Sequence, residues 1–215
     1  MITRREFVAG TSALAIVAAM QASVASTAFA QGASFSAAEL LEPGALEDMS
    51  IGKADAPVTV IEYASMTCGH CATFHIATYP EFKKRYIDTG KARYILREFP
   101  LDPLAAGAFM LARCAGKDKY FPLVETLFQQ QRNWAVQKPL EPLFAIARQT
   151  GFTQQTFDAC LRDQTMLDGI EKVRTRASDR FKVESTPTFF INGTVYRGAL
   201  SIDELAKAID PLVKS

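Results

Sequence analysis

Short β-branched runs stand near both ends of the chain, and a long stretch patterned for helix lies between them. Pro57 opens Val58-Thr59-Val60-Ile61-Glu62-Tyr63, a compact apolar run with turn residues on each side, which predicts a buried strand interrupted by one acid. From Cys71 to about Tyr86, apolar residues recur at three- and four-residue steps, which predicts a helix with a kink at Pro80. A second strand is predicted over 92–99, stopped by Pro100. Strand signals then vanish, and helices are predicted near 103–115, 118–131, 140–150, 153–162 and 165–181, with Asp118 and Thr153 as caps. Strands resume at Thr188-Phe189-Phe190-Ile191, turn at Asn192-Gly193 and return through Arg197. Ser201 and Glu204 form a capping box for a last helix over 201–213. Residues 31–56 read as a loose arm with one short strand near Met49–Ile51. This order describes an α/β protein with an all-helical insert.

Charge and composition change that picture little. The 215 residues carry a formal net charge of +1 without a long run of one sign, so the clustered cations of a nucleic-acid binder are missing. The N-terminus changes it more. Arg4 and Arg5 precede an apolar stretch from Val8 to Met20 and a small-residue tail ending Ala28-Phe29-Ala30, the three parts of an export signal cut after Ala30. That stretch is too short and too polar to span a bilayer. Arg4, Arg5 and Phe7 resemble the twin-arginine signal, with the general secretory route as the alternative. Removing residues 1–30 leaves the remainder neutral. Export places all four cysteines in an oxidising compartment.

Cys68-Gly69-His70-Cys71 stands at a predicted helix start, so one turn brings the two sulfurs within bonding distance. Helix-terminal N–H groups and the positive end of the dipole favour a thiolate at Cys68, and a protonated His70 adds to this. A stabilised thiolate leaves readily and favours the reduced state, so the pair tends to pass its disulfide on. Cys71 is then the buried resolving thiol. Two other readings compete. Cys71 and His75 lie one turn apart and suggest half of a metal site, but no further pair lies at zinc spacing, so no metal and no cofactor is expected. A purely structural bridge gains little from so short a loop. His75 reads as a surface residue, Trp134 as packing, and Met66 with Thr67 as part of a shallow peptide-binding surface.

Strand, Cys-Gly-His-Cys, helix and strand, followed by a helical insert, Thr186-Pro187, a hairpin and a helix, resemble the DsbA-like branch of the thioredoxin fold over roughly residues 45–213. The resemblance implies a thioredoxin-fold domain from 31–101 and 183–215, with an inserted helical domain at 102–182. It implies that Pro187 is a cis proline facing the cysteines and that Thr186 contacts the substrate backbone. It also matches Glu62, six residues before Cys68, to a buried acid placed to take or relay the proton of Cys71. Gly69 and Thr186 depart from the Pro and Val of the enterobacterial pattern, which leaves oxidising strength open. Cys114 and Cys160 are expected to form a structural disulfide, as in some alphaproteobacterial relatives; two separate buried thiols are the alternative.

The expected function is that of a periplasmic thiol:disulfide oxidoreductase. It would donate the Cys68–Cys71 disulfide to reduced exported proteins, act as a monomer and be reoxidised by a quinone-linked membrane partner. A disulfide isomerase or reductase is the runner-up, and a metal-binding protein using Cys68, Cys71 and His75 is the competitor from another class.

Overall fold

The computed structural model describes residues 34–213, so the export-signal reading lies outside the described residues. Five strands form one sheet: β1 (Met49–Ile51), β2 (Val58–Ala64), β3 (Ala92–Glu98), β4 (Thr188–Ile191) and β5 (Thr194–Arg197), in the order β1-β3-β2-β4-β5. Only β2 and β3 run parallel. Their connection carries α2 (Gly69–Ala77), α3 (Tyr79–Phe82) and a π-helical turn, Lys83–Ile87. The helix expected to run from Cys71 to Tyr86 is thus broken at Thr78, just before Pro80, because the ring has no N–H to give and fits only the first turn of a new helix.

The insert follows β3 as α4 (Pro103–Cys114), α5 (Lys117–Gln129), α6 (Gln131–Trp134), α7 (Leu140–Ala147), α8 (Gln154–Leu161) and α9 (Gln164–Phe181). Gly116, rather than Asp118, caps α5, with Asp118 in the first turn. Thr153 caps α8 in a capping box with Thr156. Residues 34–56 are more ordered than a loose arm. Ser36 and Glu39 form a capping box for α1 (Ala37–Leu41), and β1 pairs along the edge of β3.

The alternation of β2 builds two cores. Val58, Val60 and Ala64 join the larger apolar cluster with Phe74, Phe109 and Phe128, on the face covered by α2 and the insert. Ile61 and Tyr63 face Leu40 and Phe181 on the other side. The final helix, α10 (Ile202–Val213), buries Leu205 and Ile209, and its first turn is closed by Ser201 and Glu204. At the hairpin, Asn192 and Gly193 both take positive φ, the geometry of a tight primed turn. The Asn192 side chain accepts from Thr59 N at 2.7 Å and donates to the Pro57 carbonyl at 3.1 Å, locking the hairpin to the start of β2.

One ion pair ties the insert to the sheet. Glu98, wholly buried at the end of β3, accepts two hydrogen bonds from Arg113 at 2.7 and 2.9 Å and one from Tyr120 OH at 2.8 Å. Replacing Arg113 by Met leaves that carboxylate buried without its cation, so a loss of about 3–5 kcal/mol is expected in urea denaturation. A change under about 1 kcal/mol would show that the pair is dispensable.

Candidate functional site

β2 ends at Ala64, and a short turn delivers Cys68 as the N-cap of α2. β4 runs antiparallel to β2 with Tyr63 opposite Thr188, so the residues just before β4 lie beside those just after β2. The chain therefore brings Thr186 and Pro187 to Cys68 across 118 residues of sequence. The Thr186–Pro187 bond is cis, and the Thr186 carbonyl accepts from Cys68 Sγ at 3.3 Å. The two cysteines of this turn are unbonded to each other, Cys68 half-buried and Cys71 wholly buried.

The sulfurs titrate in opposite directions. Cys68 is lowered to about 5, chiefly by a hydrogen bond from Cys71, against the opposing effect of burial; Thr186 and the backbone amides of Cys71 and His70 add further support. The Thr186 hydroxyl is buried without another partner, so it is free to donate when Cys68 ionises. Cys71 is pushed well above its ordinary value, first by burial, then by its bond to Cys68 and by the nearby negative charge of Glu62. His70 is exposed, and its backbone amide supports the Cys68 thiolate.

Glu62 is wholly buried and accepts from Tyr94 OH at 2.5 Å. His75 is the main correction. It was expected at the surface, but only 3% of it is exposed, because it follows Cys71 by one turn on the face turned inward. Its ring stacks on Phe128 at 4.2 Å, and its Nε2 lies 3.3 Å from Glu62 Oε2, so it faces an acid in the core. Among the described residues no His, Cys, Asp or Glu cluster is arranged to hold a metal ion. Met66 is also corrected: it is wholly buried and cannot line a peptide-binding surface. Thr67 stays partly exposed and donates to Asp102 at 2.6 Å.

Two further contacts were not legible in sequence. Gln131 Nε2, from the insert, donates to the Met66 and Cys68 carbonyls at 2.8 and 3.0 Å, holding the turn before α2. Tyr94 closes over Glu62 from β3, a position set by the parallel register. Farther away, Cys114 and Cys160 are joined by a disulfide between α4 and α8. Trp134 is wholly buried, and its indole N–H donates to the Leu127 carbonyl at 2.7 Å.

Residues 45–211 match the Thioredoxin family model. The alpha-DsbA1 of Wolbachia pipientis superposes with a TM-score of 0.76 at 33% identity, covering 82% of this chain and 95% of that one. The chain belongs to the thioredoxin family, in its DsbA-like branch. A protein-disulfide oxidoreductase of Rickettsia bellii is 36% identical over 169 residues, 78% of this chain and 65% of that one, and across the Rickettsia relatives this DsbA-like chain spans about 60% of their length. BdbD of Bacillus subtilis shares the fold with a TM-score of 0.70 at 23% identity, covering 78% of this chain and 94% of that one.

Two outcomes follow from the split titration. The thiolate absorbance of the reduced protein at 240 nm should rise with a midpoint near pH 5, and Cys71→Ala should move that midpoint upward by removing the thiol that donates to Cys68. Between about pH 5 and the unfolded value of about 8.5, the unfolded reduced chain binds more protons at Cys68 than the folded one. The melting temperature of the reduced form, relative to the disulfide form, should therefore rise with pH across that window. The advantage should be lost as pH falls through 5; a flat difference would contradict the assignment.

Proposed function

We propose that this protein is an exported thiol:disulfide oxidoreductase that donates the Cys68–Cys71 disulfide to folding proteins. The observation that carries this reading is the split between the sulfurs: Cys68 ionises near pH 5, and Cys71 is held neutral by burial one turn away. A substrate thiolate attacks Cys68 Sγ, and Cys71 leaves and takes a proton. A second substrate thiolate then attacks the substrate sulfur of the mixed disulfide and releases Cys68 as a stable thiolate. Every step uses protein sulfur, so the reaction calls on no cofactor.

The remaining residues take supporting roles in this scheme. The His70 amide supports the Cys68 thiolate, and Glu62 exchanges the proton of Cys71. Thr186 and Pro187 present a backbone edge beside Cys68 to an extended substrate segment. The thioredoxin-fold domain spans 31–101 and 183–215, the helical domain spans 102–182, and the Cys114–Cys160 disulfide braces the latter. Residues 1–30 direct export to the periplasm by the twin-arginine route. There the protein acts as a monomer on reduced exported proteins and is reoxidised by a quinone-linked membrane partner. The related names support the chemistry: the Wolbachia neighbour is called alpha-DsbA1, and the Rickettsia relative a protein-disulfide oxidoreductase.

The test is the reduction potential of the Cys68–Cys71 pair, read by equilibration with glutathione buffers. A stabilised Cys68 thiolate favours the reduced state, so the value should lie between about −180 and −120 mV. A value near thioredoxin's, about −270 mV, would make the protein a reductase and sink the donor reading.

A further inference from the structure

Glu62 sits in the core, and among the described residues no Arg or Lys pairs with it. Its Oε2 is bonded by Tyr94 and lies 3.3 Å from His75 Nε2, while its Oε1 is buried and has no partner. Both His75 nitrogens are likewise buried without a hydrogen bond. The ring is held in place all the same, stacked on Phe128, 5.0 Å from Tyr79 and edge-on to Phe74 at 5.4 Å. Leaving such atoms unbonded costs about 1–3 kcal/mol each, so an imidazole kept there for packing alone would be better replaced by a phenyl ring.

The groups around His75 complete the arrangement. From its own helix comes Cys71, from β2 Glu62, from β3 Tyr94, and from α3 Tyr79. From α5 comes Glu125, a partly buried carboxylate with His75, Tyr79 and, on the π-helical turn, Lys83 as neighbours. Cys71, Glu62, Tyr94, Tyr79 and Glu125 all ionise to anions, so His75 is the group in this cluster that can carry a positive charge. The cluster runs from the wholly buried sulfur to a carboxylate that meets solvent.

We propose that His75 is a positioning residue for disulfide exchange, holding Glu62 and passing protons between it and Glu125 so that Cys71 can gain or lose one without direct access to water. This rests on the reading of Cys68 and Cys71 as the redox pair. In the donating direction, a substrate thiolate bonds to Cys68 Sγ as the Cys68–Cys71 bond breaks, the electron pair of that bond stays on Cys71 Sγ, and one proton arrives from the Glu62 carboxyl. His75 then returns a proton to Glu62 and is itself recharged through Glu125. When the ring closes, Cys71 gives its proton to Glu62 and attacks Cys68 Sγ. The bond from Cys68 to its partner sulfur breaks, the partner leaves as a thiolate, and the proton exits by the same groups.

The experiment follows ring closure directly. Cys68 is loaded as a mixed disulfide with glutathione, and release of glutathione is timed by stopped flow from pH 5 to 9 in the wild type, His75→Phe and Glu125→Gln. Phe keeps the stack on Phe128 and removes the proton carrier. Wild-type closure should vary little between pH 6 and 8. His75→Phe should close about a hundred-fold more slowly at pH 6.5 and speed up steadily with hydroxide. Glu125→Gln should be slowed about three- to ten-fold with its melting temperature kept. Wild-type rate and pH profile in His75→Phe would overturn the proposal. Should His75→Phe fail to fold, an unchanged profile in Glu125→Gln overturns it instead. A wild-type protein that releases no glutathione at any pH would overturn the redox-pair reading itself, a result distinct from a competent wild type with indifferent variants.

Discussion

Two sulfurs three residues apart must occupy different electrostatic surroundings, and the placing of α2 against β2 is what achieves this. Cys68 stands at the N-cap, where helix amides point outward and part of the side chain still meets solvent. Cys71 is one turn in and wholly buried against the sheet. The chain needs no special loop to separate them; the pitch of a helix does it. The direction of β4 then matters, because its antiparallel pairing with β2 returns Thr186 and Pro187 to the same edge from the far end of the sequence. A parallel β4 would carry the residues before it to the opposite end of β2, away from Cys68.

The helical insert is a wall of this site rather than an appendage. α6 gives Gln131 to the carbonyls of the turn before α2, and the start of α4 gives Asp102 to Thr67. α5 gives Phe128 to the face of His75 and places Glu125 near it. The Glu98–Arg113–Tyr120 cluster fixes α4 and α5 on the sheet. A buried carboxylate is tolerable there because each of its oxygens finds a donor. Removing the insert would therefore open the floor of the site as well as shorten the chain.

What was legible in sequence was local. The Cys-x-x-Cys pair, the Asn192-Gly193 turn and the Ser201–Glu204 box each act within a few residues, and each lies where its short pattern placed it. The capping box at Ser36 and Glu39 is just as local, but the helix it starts has only five residues and too little periodicity to signal it. His75 and Met66 were misplaced for a different reason. Burial on α2 depends on which elements lie above it, and the long insert supplies α5 from beyond position 116. Residue spacing could say that His75 shares a face with Cys71, but not that Phe128 covers that face. Tyr94 was beyond reach for the same reason, since it meets Glu62 only through the register of β2 with β3.

The two faces of β2 show how the same fold treats polar groups kept for different ends. On one face, Tyr63 joins Arg97, whose guanidinium donates to Tyr63 OH, to both oxygens of Asp48 and to the Leu40 carbonyl, all between 2.6 and 2.8 Å. Every charge there is met, and the cluster fastens α1 and the segment before β1 to the sheet. On the other face, one residue away, Glu62 and His75 retain buried atoms with no partner, although aromatic rings surround them. The chain was able to build a saturated cluster on a neighbouring residue, so the unsaturated one is not a failure of packing. Open lone pairs and an ionisable ring beside a buried sulfur destabilise the resting fold slightly. The proposed proton relay draws on those atoms, because a lone pair already committed to a donor is a poorer acceptor for a proton in transit.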